Sequence, residues 1–244
     1  MVELAYDLHL HSCLSPCGDA DMTPANIAGM AALNGLEVVA LTDHNTARNC
    51  PAFLKWTAEY GLIGIPGMEL CTEEEVHVVC LFPTLEDALA FDGFVYRHLM
   101  PVENKPEFFG HQVLMDMEDQ PAGEEPLLLI SATTIPFSQV FDLTAEYHGI
   151  MIPAHLDKTT TSLLSNLGFV PPDSKFTCAE LKDMSNLHRI RAANPYLNGC
   201  NIVSSSDAHY LEHINQANYT LRAASRSIPD ILAALTRPLA TIES

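Results

Sequence analysis

Short apolar blocks alternate with amphipathic stretches along this chain, and the alternation predicts its elements. Leu4 to Leu10 reads as a first strand, followed by a polar, turn-rich loop from Ser12 to Met22. Thr23 caps a helix with Pro24 at its first position, and Gly35 ends it. Glu37 to Thr42 is a second strand, Pro51 to Tyr60 a helix stopped by Gly61, and Leu62 to Ile65 a third strand ahead of Gly67-Met68-Glu69. Val76 to Phe82 is a further β run, and Leu85 to Leu99 has helical spacing. From about Pro101 to Pro126 the rhythm breaks into an acidic, proline-marked excursion, with a hairpin expected around Gln112 to Ala122. Pro136 to His148 is the next helix, capped by Gly149, and Ile150 to Ala154 a buried strand. Ser162 to Leu167 is a short helix. Strands follow at Cys178 to Leu181, Asn201 to Ser205 and Tyr219 to Leu221, with a last helix from Ile228 to Leu235.

Strands alternating with helices predict an α/β fold with a largely parallel sheet. No boundary divides the chain, so residues 1–244 are expected to form one domain with the excursion around 101–130. The strand-end positions carry the candidate chemistry. His9 and His11, two apart on a strand, point the same way and reach one point. His44 follows the second strand, His155 the strand ending at Ala154, and Asp207 and His209 the strand ending at Ser205. In parallel α/β folds that rim is where active sites are built.

With Glu69 and His77, these make six imidazoles and two carboxylates, a donor set for two or three divalent ions. Glu69 is the candidate bridge between two of them. Asp207 and His209 are candidates for proton transfer as well as for ligation. The other five histidines, His98, His111, His148, His188 and His213, fall on helices or in loops and read as structural, and Glu73-Glu74-Glu75 reads as a solvated turn.

Composition narrows the partners. A formal charge of −19, from 12 Lys and Arg against 31 Asp and Glu, disfavours nucleic-acid backbones and anionic membranes. The expectation is a small phosphorylated substrate, no duplex nucleic acid and no membrane, with bound metal supplying the local positive charge. The oligomeric state is left open. Lys158, three residues after His155, is a candidate phosphate contact or simply a surface lysine. Arg189 and Arg191 are the other basic candidates for substrate binding. The start lacks a signal peptide, and seven scattered cysteines (13, 17, 50, 71, 80, 178 and 200) read as reduced thiols of a cytoplasmic protein.

Five segments in order, Asp7-Leu-His9-Leu-His11-Ser, Leu41-Thr-Asp43-His44-Asn, Pro66-Gly-Met-Glu69 with His77 downstream, Pro153-Ala-His155 and Ser206-Asp207-Ala-His209, resemble the polymerase and histidinol phosphatase (PHP) domain family. The resemblance runs from about residue 5 to 210. It implies a distorted (β/α)7 barrel with a trinuclear metal centre at the C-terminal rim of its strands, holding zinc, manganese or iron. Carried over, the first metal takes His9, His11, Glu69 and Asp207, and the second Glu69, His77 and His155. The third takes His44, His209 and a ligand from the loop after His11. There the sequence departs from the family. Pro16 cannot ligate, and Cys17 and Asp19 are the alternatives, with Asp19 favoured for its harder oxygen donor after Gly18. The implied activity is hydrolysis of a small phosphomonoester or nucleotide phosphate by a metal-activated water. An amidohydrolase-type C–N hydrolase and a non-catalytic metal-binding regulator are the alternatives.

Overall fold

In the computed structural model, which describes residues 1–238, ten strands carry the architecture. They are β1 (Val2–Leu10), β2 (Val38–Leu41), β3 (Ile63–Cys71), β4 (His77–Leu81), β5 (Val113–Met115), β6 (Pro121–Glu124), β7 (Ile150–Pro153), β8 (Cys178–Glu180), β9 (Asn201–Val203) and β10 (Thr220–Ala223). The end of the expected domain, 239–244, lies outside the described residues. The helices are α1 (Pro24–Leu33), α2 (Cys50–Glu59), α3 (Leu85–Tyr96), α4 (Pro106–Phe109), α5 (Phe137–Glu146), α6 (Leu163–Asn166), α7 (Leu187–Ala193) and α8 (Ile228–Thr236).

A six-stranded sheet runs β10-β1-β2-β3-β4-β7, while β8 and β9 form a separate parallel pair. The Leu156 N–H donates to the Glu180 carbonyl (2.8 Å), joining the end of β7 to β8. A lone parallel bridge between Leu10 and Ala208 joins the continuation of β9 to β1. Seven strands therefore go round, and β10 is appended to the lower half of β1. This is the distorted (β/α)7 barrel.

The sheet is less parallel than the alternation suggested. β1–β2 and β2–β3 are parallel, but β3–β4, β4–β7 and β1–β10 are antiparallel. Only five residues, 72–76, separate β3 from β4, too few for the helical crossover a parallel pair needs. The reversal has a functional consequence: His77 opens β4, yet it pairs with Cys71 at the end of β3 and so lies on the same rim. β3 also runs unbroken through Pro66 and Gly67. At Gly67 an added Cβ would lie 2.6 Å from the Cys80 carbonyl oxygen, so only glycine lets β4 approach this closely.

Two apolar layers show which way each strand faces. Leu4, Tyr6, Leu8, Val38, Ala40, Ile65, Val79, Leu81, Ile152 and Cys178 fill the barrel interior, which Ile231, Leu232 and Leu235 of α8 also join. Leu10, Val39, Leu41, Met68, Leu70, Val78 and Cys80 face the outer helices. Leu8 points in and Leu10 out although they are two apart, so the face of β1 switches between them. The β1–β2 register is irregular over this stretch, between Asp7 and Leu10. An irregularity of this kind re-aims side chains, and here it turns His9 and His11 inward. Glu69 and His77 need no such device, being in phase with the inward residues Ile65 and Val79.

The excursion lies on the same rim. β5 and β6 form an antiparallel hairpin. The Val113 N–H donates to the Cys13 carbonyl (2.8 Å), and the Asn45 amide to the carbonyls of Leu129 (2.7 Å) and Ser131 (2.8 Å). The Thr133 N–H reaches the Cys71 carbonyl (2.9 Å), so the loops following β1 and β2 and the end of β3 all hold it. Arg48 clamps it from the side, paired with Asp92 of α3 and with Glu125. No described helix is long and apolar enough to cross a membrane.

Candidate metal centre

Glu69 is the hub of the rim. Its carboxylate is 1% exposed. Oε1 lies 3.0 Å from His77 Nδ1, 3.1 Å from His155 Nε2 and 3.3 Å from His9 Nε2. Oε2 lies 3.0 Å from His44 Nδ1 and 3.5 Å from His11 Nε2. Asp207 Oδ1 closes the other side, 3.3 Å from His11 Nε2 and 3.5 Å from His9 Nε2. His11 and His209 stack with ring centres 4.2 Å apart. Three groups of donors converge within 4.8 Å: His9, His11, Glu69 and Asp207; His44, Glu69 and His77; and His11, His44 and His209.

Backbone strain helps to aim these groups. His155 (φ 31°), Asp207 (φ 50°) and Asn45 (φ 52°), the neighbour of His44, all adopt left-handed conformations that non-glycine residues seldom take. At His155 this turn interrupts the inward phase of Ile150, Ile152 and Ala154.

The electrostatics follow from burial among opposite charges. Burial would raise the Glu69 carboxyl, but His77 and His9 beside it hold it well below the usual carboxylate range. Asp207 is likewise held down, against its own burial, by His9 and His11. Burial disfavours a charged His77, yet Glu69 raises it to about 10. His9 is raised well above the ordinary imidazole value because Glu180, Glu69 and Asp207 outweigh its burial. His11, His44 and His209 are lowered, chiefly by burial.

The donor set fits divalent metal. His44 Nδ1 and Glu69 Oε2 are buried 3.0 Å apart, and neither makes a well-directed hydrogen bond. Orphaned buried lone pairs are costly unless something else fills the gap, and a cation between imidazole and carboxylate does so. Imidazole and carboxylate donors suit zinc, manganese or iron.

The remaining sequence candidates fall differently. Asp19 is outside the three donor groups: its Oδ1 accepts from the Asp21 N–H (2.9 Å), and its own N–H donates to the His209 carbonyl (2.9 Å). It tethers the loop. Cys17 is exposed and is likewise outside the three donor groups. Lys158 does reach the cluster, with Nζ 2.6 Å from Asp207 Oδ2. Arg189 donates to the Asn186 side chain (3.1 Å) and Arg191 to the Cys200 carbonyl (2.9 Å), and neither pairs with a cluster residue. Arg191 instead lines a groove with Met184, His188 and Pro195. His98, His111 and His148 pair with Phe94, Glu124 and Asp87, away from the cluster.

The sequence reading missed Glu180. This carboxylate, 2% exposed at the end of β8, places Oε1 and Oε2 at 3.1 and 3.2 Å from His9 Nδ1. Its Oε1 also accepts from the His155 N–H (3.1 Å). The available signal was a lone carboxylate in the apolar stretch Cys178–Leu181, since a charge seldom occupies a buried strand without a partner. Ser15 and Asp43 form a second support: Ser15 Oγ lies 3.0 Å from His11 Nδ1 and donates to Asp43 Oδ1 (2.7 Å).

Comparison with known proteins gives this geometry a context. A family model described as the PHP domain matches residues 7–233. An uncharacterized protein of Methanocaldococcus jannaschii is 38% identical over 76 residues, 28% of this chain and 44% of that protein. The lesion-specific endonuclease Q of Pyrococcus furiosus has a similar fold (TM-score 0.65, 20% identity), covering 96% of this chain and 56% of that one. The chain thus matches only about half the length of these relatives. A candidate metal-dependent phosphoesterase of Bifidobacterium adolescentis aligns over 98% of both chains (TM-score 0.57, 15% identity). Endonuclease Q has also been solved with a 27-mer duplex bearing an abasic lesion at its active site, at TM-score 0.63 and 19% identity to this chain. That finding overturns the exclusion of duplex nucleic acid. Net charge sums over the whole surface, whereas a nucleic acid meets one face of it, where bound cations change the local sign.

Proposed function

The chain belongs to the PHP domain family, and from that premise we propose that it is a metal-dependent phosphoesterase. The broader conclusion, a metal-dependent hydrolase, is what the family and the clustered donors support together. The observation that carries the finer reading is the central position of Glu69, a carboxylate with five imidazoles around it and Asp207 opposite. Two-metal sites with a shared ligand are a standard arrangement for phosphoester hydrolysis.

When bound, divalent ions supply an activated water near neutral pH and neutralise phosphoryl oxygens. The protein's own residues do the rest. Glu69, Asp207 and the six histidines would hold the ions. Lys158, on the solvent side of Asp207, contributes an ammonium for a substrate oxygen. His209, its side chain 22% exposed, is the most open of the six histidines; with Nδ1 3.0 Å from the Asp207 carbonyl, Nε2 is the nitrogen left for an ion.

Substrates of this reading include small phosphomonoesters and nucleotide phosphates. A phosphodiester within nucleic acid is a second reading, favoured by the fold shared with endonuclease Q. Protein loaded with zinc, manganese or iron should release phosphate from a monoester panel or cleave an abasic duplex. Hydrolysis of cyclic amides without either of these would favour the C–N alternative. Metal uptake with no hydrolysis of any kind would favour a regulator.

A further inference from the structure

Glu180 lies outside the three donor groups, yet it touches two of the histidines that surround Glu69. Ionised carboxylates only accept hydrogen bonds. With both oxygens facing His9 Nδ1, that nitrogen must carry the proton, which leaves the Nε2 lone pair for the centre. His11 is fixed in the same sense by a different route. Ser15 donates its hydroxyl hydrogen to Asp43, so Ser15 Oγ can only accept from His11 Nδ1. Ser15 Oγ also accepts from the His44 N–H (3.2 Å), and Glu180 acts in parallel on the other side. By accepting from the His155 N–H it also anchors the strained residue whose Nε2 meets Glu69.

We propose that Glu180 is a positioning residue that couples the two sides of the metal centre: it holds His9 with Nε2 facing inward and, through the same carboxylate, pins the backbone of His155. The inference rests on the metal-centre part of the functional reading and is independent of which ester is cleaved. Outer carboxylates on metal-binding histidines typically change metal affinity by about 10–100-fold. One carboxylate serving both sides predicts that its loss weakens more than one metal position.

The test compares zinc and manganese binding by calorimetry in wild type, Glu180→Ala, Glu180→Gln and the surface control Glu124→Gln. Circular dichroism verifies each fold. Glu180→Ala is expected to lose about 10–100-fold in affinity at two positions. Glu180→Gln, whose amide oxygen still accepts from both partners, should recover part of that loss, and the control should match wild type. In zinc-loaded wild type, long-range proton–nitrogen NMR should show a slowly exchanging proton on His9 Nδ1, absent in Glu180→Ala. Should Glu180→Ala fail to fold, Glu180→Gln and the wild-type NMR signal decide. Wild-type affinity in a folded Glu180→Ala protein, loss at one position only, or a His9 Nδ1 without a proton would overturn the proposal. So would a wild type that binds neither metal. If metal binding follows the prediction while no ester is hydrolysed, the phosphoesterase reading fails and this one stands.

Discussion

Replacing Arg48 with methionine tests how the excursion is held over the rim. Arg48 Nε lies 3.5 Å from Asp92 Oδ2, its guanidinium pairs with Glu125, and it sits 4.3 Å above the Tyr96 ring. Asp92 and Glu125 are both buried. Removing one partner of a buried ion pair costs about 3–5 kcal/mol, because the remaining charge is left uncompensated. Here each carboxylate keeps two donors: Thr46 Oγ1 and the Ala47 N–H for Asp92, Tyr96 Oη and the Leu127 N–H for Glu125. The lower end therefore applies, about 3 kcal/mol; the methionine stem retains most of the packing on Tyr96. Urea unfolding should show a lower midpoint at unchanged slope. The double variant Arg48→Met/Glu125→Gln should recover roughly half, since one of the two stranded charges is gone. A loss under about 1 kcal/mol would mean that the pair behaves as a surface contact, and the reasoning fails. Equal destabilisation of single and double variants would also refute it.

Three further outcomes are expected. Glu69→Gln should keep the fold but lose metal at more than one position, measured by elemental analysis after gel filtration; wild-type stoichiometry would contradict the bridging role. Gly67→Ala forces a Cβ against the Cys80 carbonyl and the Leu81 side chain, so thermal unfolding should show a loss of about 1–3 kcal/mol, with weaker metal binding because Glu69 lies two residues on. Asp7, raised by burial to about 6, favours the protonated form in the folded state. Its contribution to stability is present below about pH 4 and is lost as pH rises through about 6, so Asp7→Asn should gain up to about 3 kcal/mol relative to wild type across that window. A pH-independent difference in urea titrations would refute this assignment.

Much of the site was legible because its donors occupy strand ends, where period-2 spacing and capping turns mark positions clearly. The eight residues picked out by the motifs converge on one rim, although the donor groups differ: His44 stands beside Glu69 and His77, and His11 beside His44 and His209. Four things escaped. The inward turn of His9 and His11 depends on an irregularity of β1, which a hydrophobic pattern does not display. The direction of β4 was readable from the short 72–76 connection but was obscured by the regular alternation around it. Glu180 belongs to no motif, and its role arises only when the end of β8 meets β1 and β7 in space. The excursion was legible as a break in rhythm. Its attachment to the loops following β1 and β2 and to the end of β3 was not, because those contacts link positions far apart in sequence.

Glu69 and Asp207 would organise a shared metal centre with the six rim histidines. Anomalous diffraction from crystals grown with zinc or manganese tests it most directly. Two or three anomalous peaks are expected, one bounded by His9, His11, Glu69 and Asp207 and a second touching Glu69 beside His77. Absence of any peak among these residues, at metal concentrations that saturate the protein, would contradict it.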